Sequence, residues 1–278
     1  MERVAFGIRR LDTTIGGGAP PGSIVLLSGE AGAGAREFMY TAALMNGLTE
    51  TEPDLFDLYY GELPTNASAP REVHYISFTS EKRQLHREMS LSIDDEIVDS
   101  AIEAVRFHDL SPEYFRLSPV PREWYSERTQ SISGLGGERN RRDVSEALGE
   151  TLDVHAPGNL IIIDSIADLI ETSTDDLTWD DVPVLLKGIS RAAFEWGGLV
   201  LVHANQEALD DRRHGQLVDA VDGTLLFKWE SGGSTRDRTM VVKQFRGVLS
   251  RIEDEDIVQF ETEIGDSGFD ISDVRKIR

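Results

Sequence analysis

The sequence contains no cysteine, which excludes a disulfide framework and any zinc site built from thiolates. Its six histidines show neither the H-x-x-x-H nor the H-E-x-x-H spacing, and each is interpreted as an ordinary surface or core residue. No apolar run approaches the roughly 18 residues that a membrane span needs, and the N-terminus lacks a charged and then apolar signal. We therefore expect a cytoplasmic protein without a membrane span.

Lysine is also scarce, with five residues against 23 arginines. The 50 acidic residues exceed the 28 basic ones and give a formal net charge of -22. In molar salt the Debye length falls to about 3 Å, so the self-repulsion of such a surface is screened. The composition favours a halophilic protein over an acidic mesophilic one. It disfavours a broad DNA-binding surface, because phosphate neutralisation supplies much of the affinity for DNA, but it does not exclude a local basic channel.

One stretch, from Gly22 to Arg36, has a ligand-binding pattern: an apolar strand, a glycine-rich turn and the start of a helix. Phosphate-binding loops follow G-x-x-x-x-G-K-[ST], in which backbone amides hold phosphates, the lysine reaches the outer ones and the hydroxyl holds Mg²⁺. Gly29 and Gly34 have this spacing, but Ala35 stands at the lysine position and Arg36 at the hydroxyl position. The pattern predicts a phosphate cradle that keeps its shape and lacks two of its chemical contacts.

Hydrophobic periodicity predicts a single α/β domain over residues 1–278 with a mostly parallel central sheet. The predicted strands are 23–28, 73–78, 106–109, 159–165, 199–203, 223–229, 238–245 and 257–263. The last three are joined by turns, which is typical of an antiparallel β-rich extension over 221–278.

Between the strands, the turn-rich lead-in at 4–22 is expected to pack through Leu11 and Ile15. The segments 49–70 and 111–140 show little periodicity and are interpreted as insertions or irregular segments, the first of them exposed to solvent. Residues 207–219 are polar and are interpreted as a mobile loop.

Polar side chains follow two strands of the predicted parallel sheet. Asp164 ends the apolar run from Leu160, and Asn205 and Gln206 follow the strand 199–203. Ligands of such sheets bind beyond the carboxyl ends of the strands. We therefore expect Asp164 to lie where the phosphates of the glycine-rich loop would bind.

The order of these features resembles the KaiC-like branch of the RecA superfamily of P-loop ATPases, which includes archaeal recombinase paralogues. The features that carry the resemblance are, in chain order, the lead-in, the strand and loop, a polar triplet at 79–81, Asp164, Asn205-Gln206 and the basic segment 243–247. The resemblance covers roughly residues 4–263, and with the acidic composition it is similar to a haloarchaeal member. It implies a RecA-like three-layer fold, ATP and Mg²⁺ as cofactors, and assembly into a homo-oligomer or with a RecA/KaiC-like paralogue.

The resemblance also assigns roles to residues. It implies Asp164 as the residue supporting the metal and Glu81, displaced by one position, as the candidate general base. It implies a nucleotide-binding set of Gly29, Glu30, Ala31, Gly32, Ala33, Gly34, Ala35, Arg36, Asn205, Gln206, Lys243 and Arg246. Ala35 and Arg36 depart from the family's lysine and hydroxyl, and one extra residue separates Lys243 from Arg246 compared with the family's K-x-R-G segment.

Several of these residues have equally ordinary interpretations. Asp164 fits a hydrogen-bonded buried carboxylate, Asn205 and Gln206 fit turn residues, and Arg246 fits a surface ion pair. An arginine at position 36 can contact phosphate, but a guanidinium cannot ligate Mg²⁺.

Three functions follow from these alternatives. The first is a catalytically degenerate RecA/KaiC-like domain with a regulatory, signalling or assembly role. The second is an active ATPase in which Arg36 and Glu81 replace the missing groups. The third is a recombination-type accessory protein that binds single-stranded DNA through Arg212, Arg213 and the basic cluster at 139–142.

Overall fold

The computed structural model describes residues 2–125, 144–171, 178–232 and 235–276. Its strands are β1 Arg3–Val4, β2 Ser23–Gly29, β3 Ala67–Ser68, β4 Val73–Ser77, β5 Val105–Asp109, β6 Leu160–Asp164, β7 Leu199–Asn205, β8 Gly223–Gly232, β9 Thr235–Phe245, β10 Ile257–Gly265 and β11 Gly268–Lys276. Its α-helices are α1 Arg9–Ile15, α2 Ala35–Thr51, α3 Pro53–Tyr59, α4 Lys82–Ser90, α5 Asp95–Ala101, α6 Ser111–Tyr114, α7 Val144–His155, α8 Asp168–Glu171, α9 Asp181–Trp196, α10 Asp211–Asp219 and α11 Leu249–Asp254.

Nine strands form one sheet in the order β11-β10-β9-β8-β2-β7-β6-β4-β5. The strands from β8 through β2 to β5 pair in parallel, and β8 to β11 pair antiparallel. A parallel β1–β3 pair forms a separate small sheet. The predicted α/β fold, with a mostly parallel sheet and an antiparallel C-terminal extension, is confirmed. The strand β11 was not among the predicted strands.

Helices cover both faces of the sheet, and β2 shows why its sequence is apolar without alternation. Val25 and Leu27 belong to the core beneath α2, whereas Ile24 and Leu26 belong to the core beneath α7 and α9. Successive side chains of a strand point to opposite faces, so a strand covered on both faces needs apolar residues at every position. The result is a three-layer arrangement with a hydrophobic core on each side.

The lead-in packs against this core as predicted, with Leu11 and Ile15 buried on α1. A buried carboxylate fixes its course: Asp12 accepts hydrogen bonds from the backbone amides of residues 6, 7 and 8 and from the hydroxyl of Tyr60. Gly18 has a φ of 112°, and a Cβ there would lie 2.1 Å from the carbonyl oxygen of Val4. The glycine is therefore required by the close approach of two backbone segments.

Two expectations about irregular segments are wrong. Part of 49–70 is helical, because α2 continues to Thr51 and α3 follows, and Phe56 and Tyr60 stack in the core instead of facing solvent. Residues 211–219 form α10 instead of a mobile loop, because His214, Leu217 and Val218 make a buried helical face.

The segment 111–140 is described only as far as residue 125, where α6 and two short 3₁₀ turns lie. Its remainder, with the basic cluster at Arg139, Arg141 and Arg142, lies outside the described residues. Within the described part of the chain, no helix combines the length and the apolar character that crossing a membrane requires.

Candidate functional site

The candidate site lies where three neighbouring parallel strands end. β2 ends at Gly29, β7 at Asn205 and β6 at Asp164, and Gly29 is in register with Asn205. The carboxyl ends of parallel strands meet at one edge of the sheet, and for this reason the loop and Asp164 were expected to lie together. The loop 29–34 leads from β2 directly into α2, whose first residue is Ala35.

The loop turns through two glycines in the left-handed region, Gly32 at a φ of 72° and Gly34 at 111°. The amide of Glu30 donates to the carbonyl of Phe227, and that of Ala33 donates to the carbonyl of Glu30. By contrast, the amides of residues 31, 32 and 34 to 36 donate to no backbone acceptor among the described residues. Successive unpaired amides beside the positive end of a helix dipole are suited to binding an anion.

A cavity of about 220 Å³ opens in front of these amides. The loop forms one wall, and Arg36 and Glu37 of α2 and His203 and Asn205 of β7 form the rest. Typical small-molecule sites occupy about 300 to 1,000 Å³. The cavity is therefore large enough for a phosphate group and smaller than the usual site for a whole nucleotide.

Asp164 carries a carboxylate that is surrounded by donors. Oδ2 accepts a 2.7 Å hydrogen bond from the hydroxyl of Tyr75, and Oδ1 lies 3.1 Å from Nδ1 of His203. Oδ1 also lies 3.6 Å from Nη2 of Arg36. Burial by itself would raise the pKa of Asp164, but the His203 hydrogen bond, the His203 and Arg36 charges and the Tyr75 hydrogen bond together lower it to about 2. The carboxylate is thus held in its charged form.

Arg36 consequently places a permanent positive charge beside the carboxylate that the family resemblance assigns to the metal. The charge of Asp164 is in turn the main cause that raises the pKa of Arg36 above its ordinary value. Mg²⁺ does not fit this arrangement, because the loop supplies a guanidinium in place of the hydroxyl and the carboxylate is already matched by a fixed cation. The loop amides, in contrast, fit the phosphates of a nucleotide.

Tyr75 and His203 belong to the site but were not among the predicted site residues. Tyr75 is the middle residue of β4, which also carries His74 and Ser77, and His203 follows the apolar run of β7; the two strands flank β6 in the sheet. A polar side chain near the carboxyl end of an apolar strand is the signal that could have identified His203, and no such signal marks Tyr75.

Asn205 and Gln206, the candidate phosphate sensors, have different surroundings. Asn205 lines the cavity, and its Oδ1 accepts from the amide of Glu207 and so caps a short 3₁₀ turn. Gln206 is not among the residues around the cavity, and its Oε1 is buried without a hydrogen-bond partner in the described part of the chain.

The remaining predicted site residues lie elsewhere. Glu81 lies at the amino end of α4 and lines a separate cleft of about 970 Å³ with Thr79. Lys243 is exposed at a β-bulge, because Thr224 pairs with Gln244 while the next residue of β8 pairs with Val242. The bulge lies within the basic segment 243–247. Arg246 is exposed and lies 3.1 Å from Oδ1 of Asp222, so the structure pairs it within the chain.

Arg212 and Arg213, proposed for nucleic acid, lie on α10. The guanidinium of Arg213 lies 5.1 Å from the ring centroid of Trp179, and its Nε lies 3.8 Å from Oδ2 of Asp210. One of the two arginines thus already has partners within the chain.

The hairpin of β8 and β9 also contacts the loop. The indole Nε1 of Trp229 donates to the carbonyl of Ala31, and Nε of Arg238 donates to the carbonyl of Gly32. The Arg238 guanidinium lies 4.5 Å from the Trp229 ring centroid, a cation–π distance. We call Trp229 and Arg238 the hairpin clamp.

Comparison with known proteins gives a result only at the level of structure. No protein-family profile matches the sequence, and no curated protein matches it. Among solved structures, the chain is similar to the crystal structure of a KaiC-like protein from the hyperthermophilic archaeon Pyrococcus horikoshii OT3, with a TM-score of 0.63 and 16% sequence identity. The match covers 98% of this chain and 99% of that one. The chain therefore has a KaiC/RecA-like fold.

Proposed function

We propose that this chain is a catalytically degenerate RecA/KaiC-like P-loop domain with a regulatory, signalling or assembly role and little or no ATP hydrolysis. The observation that carries the proposal is the pair between Arg36 and Asp164, in which Nη2 and Oδ1 are 3.6 Å apart. The pair supports the proposal because it puts a protein cation beside the carboxylate that would support a metal ion in an active member of the family.

Phosphoryl transfer depends on a lysine, a metal ion and a water-orienting group that act together on the transition state. Ala35 supplies no charge, Arg36 cannot ligate a metal, and Glu81 lines a different cleft from the loop. With all three contributions missing, we expect hydrolysis to be absent or very slow.

Binding of a nucleotide is less affected than its hydrolysis. Loss of one charge-assisted phosphate contact costs roughly 1.5 to 3 kcal/mol, or about tenfold to a hundredfold in affinity. The unpaired loop amides and the amino end of α2 still favour a phosphate. We propose weak ATP binding that does not depend on Mg²⁺, with the phosphates in the 220 Å³ cavity and the base outside it.

The decisive experiment measures phosphate release and equilibrium binding of a fluorescent ATP analogue, with and without Mg²⁺, in high salt. We expect no turnover and an affinity that Mg²⁺ does not increase. Rapid phosphate release that is lost in Asp164→Asn would show an active ATPase. If the separate variant Glu81→Gln also lost phosphate release, Glu81 would be assigned as the general base.

The proposed partners are further copies of this chain or a RecA/KaiC-like paralogue. Light scattering of the purified chain, alone and with nucleotide, measures the oligomeric state. Single-stranded DNA is the less favoured partner, because the net charge is -22 and Arg213 has partners within the chain. Binding of a labelled single strand that disappears in the double variant Arg212→Ala/Arg213→Ala would reverse this preference.

The excess of acidic over basic residues supports a haloarchaeal cytoplasm as the setting. If that is right, the melting temperature rises as KCl increases from dilute buffer to molar concentration. An unchanged melting temperature would favour an acidic mesophilic protein.

A further inference from the structure

Three histidines that are far apart in the sequence converge at the edge of the sheet. His74 lies on β4, His108 on the edge strand β5, and His155 is the last residue of α7. Each offers a ring nitrogen, and these three nitrogens lie within 4.8 Å of one another. The ring centroids are 4.7 to 5.2 Å apart. Half of the chain's six histidines thus meet at one place, which their sequence spacing did not predict.

The geometry points to a binding site for a divalent transition-metal ion of the Zn²⁺ class, with these three imidazoles as its ligands. Imidazole nitrogen suits Zn²⁺, Cu²⁺, Co²⁺ and Ni²⁺, whereas Mg²⁺ and Ca²⁺ prefer oxygen. Three protein ligands on Zn²⁺ leave a fourth position for water or another small ligand. His108 and His155 are only partly buried, so this position is accessible from the surface.

The distances are close to those that a metal ion needs. Zn–N bonds are about 2.0 to 2.1 Å long, so two nitrogens on a tetrahedral ion lie roughly 3.4 Å apart. Nδ1 of His74 and Nε2 of His108 are 2.9 Å apart, and no ligand pair exceeds 4.8 Å. Shifts of the ring nitrogens on the order of 1 Å, through rotation of the histidine side chains, would therefore bring all three to bonding distance of one metal ion without movement of the strands.

A carboxylate supports the buried member of the set. Oε2 of Glu72 lies 3.1 Å from Nε2 of His74. Histidines that bind metals usually donate their second ring N–H to a carboxylate, carbonyl or water, which fixes the ring. In the tautomer whose Nε2–H is directed to Glu72, Nδ1 of His74 carries no proton and faces Nε2 of His108 at 2.9 Å.

Asn159 holds the same region together. Its Nδ2 donates to the carbonyl of His155 and lies 3.2 Å from Nε2 of His74, and its Oδ1 accepts from the amide of Glu72. This amide therefore links the end of α7 to the start of β4. Both backbone positions are fixed before any metal binds.

Imidazoles bind metals in their neutral form. Burial lowers the pKa of His74, and burial together with the neighbouring histidines lowers the pKa of His108 to about 4. Arg106 also disfavours protonation of His74, but its own charge is paired with Glu50 at 3.8 Å.

The site is independent of the glycine-rich loop. His74 and Ile76 lie on the same face of β4, the face covered by α7, and none of the three histidines lines the loop cavity. A hydrogen-bonded histidine stack without a metal is the competing explanation, and metal binding separates the two.

The test uses the full chain purified without a polyhistidine tag, stripped with chelator and titrated with Zn²⁺ by calorimetry and with Co²⁺ by visible absorption. Excess Mg²⁺ occupies the many surface carboxylates, which would otherwise bind Zn²⁺ weakly. We expect one Zn²⁺ per chain, at least a tenfold weaker affinity in His108→Ala and His155→Gln, and a roughly tenfold to hundredfold loss in Glu72→Gln.

His86→Ala is the matched control, because His86 pairs with Asp99 outside the cluster. This variant should bind like the wild type, and circular dichroism checks that every variant is folded. Absence of stoichiometric Zn²⁺ binding by the folded wild type, or binding that survives both His108→Ala and His155→Gln, would overturn the proposal.

Discussion

The indole Nε1 of Trp229 donates a 3.0 Å hydrogen bond to the carbonyl oxygen of Ala31, almost 200 residues earlier in the chain. Nε of Arg238 donates to the next carbonyl, that of Gly32, at 3.1 Å. The antiparallel extension thus hydrogen-bonds to the carbonyl oxygens of Ala31 and Gly32. The amides of these two residues have no backbone acceptor among the described residues. The shape of the loop depends on this clamp as well as on its own glycines.

Weakening the hairpin clamp should loosen the loop. Trp229→Phe keeps an aromatic ring beneath Arg238 but removes the indole N–H. One hydrogen bond contributes roughly 0.5 to 1.5 kcal/mol, so exchange of the two hydrogen-bonded loop amides, those of Glu30 and Ala33, should accelerate about two- to tenfold. Trp124→Phe, at an exposed tryptophan, is the control. Equal exchange rates in the two variants would mean that the clamp does not hold the loop.

A lysine at position 35 and a threonine at position 36, as in a standard phosphate-binding loop, should strengthen nucleotide binding. In Ala35→Lys/Arg36→Thr the lysine extends into the cavity that Ala35 lines, and the threonine removes the cation beside Asp164. We expect the affinity for the fluorescent ATP analogue to rise tenfold to a hundredfold and to become dependent on Mg²⁺.

Arg36→Thr alone separates the two effects. It removes the cation without adding a phosphate contact, so the dependence on Mg²⁺ should appear with a smaller gain in affinity. If neither variant gains affinity, the loop does not accept a nucleotide, and weak ATP binding is excluded from the proposed function.

Much of the fold and the loop could be predicted from the sequence, because these features are local. The strand before Gly29, the glycine spacing and the apolar run ending at Asp164 all depend on neighbouring residues. Their meeting at one edge follows from parallel topology. The helices α3 and α10 were missed, because only two or three apolar residues on each pack against the core, among many polar ones.

The partners of Asp164 could not be predicted in the same way. Arg36, Tyr75 and His203 come from three different elements, and their contacts depend on strand order and on the direction of long side chains. The position of Glu81 outside the loop cavity is likewise a tertiary property. The sequence therefore identifies candidate site residues, whereas tertiary packing determines which of them come into contact.

The low pKa of Asp164 predicts a specific loss of stability in acid. A carboxyl whose folded pKa lies below its ordinary value of 3.8 stabilises the folded state above that value, and the contribution is lost as the pH falls through about 2. The free energy of unfolding of the wild type relative to Asp164→Asn should be constant above about pH 5. Between about pH 4 and 2 it should fall by about 2 kcal/mol.

Urea unfolding of both proteins at constant salt measures this difference. Asp57→Asn, at an exposed aspartate, should differ from the wild type by the same amount at every pH. If the Asp164→Asn difference is equally flat, then Arg36, His203 and Tyr75 do not stabilise the carboxylate selectively.

Asp12 should be the most sensitive carboxylate for the packing of the lead-in. Its two oxygens accept four hydrogen bonds, from three consecutive backbone amides and from the hydroxyl of Tyr60. In Asp12→Asn an NH₂ group replaces one acceptor and faces donors in a fully buried site, so at least one donor loses its partner. We expect the free energy of unfolding to fall by about 1 to 3 kcal/mol.

The companion variant Tyr60→Phe removes one donor and leaves the three amides paired. It should cost less than Asp12→Asn, because a carboxylate that loses one of four hydrogen bonds is still well satisfied. Urea unfolding of the two variants and of Asp57→Asn gives the ranking. If Asp12→Asn is no less stable than the exposed control, the carboxylate does not anchor the lead-in, and the apolar contacts of Leu11 and Ile15 must suffice to hold it.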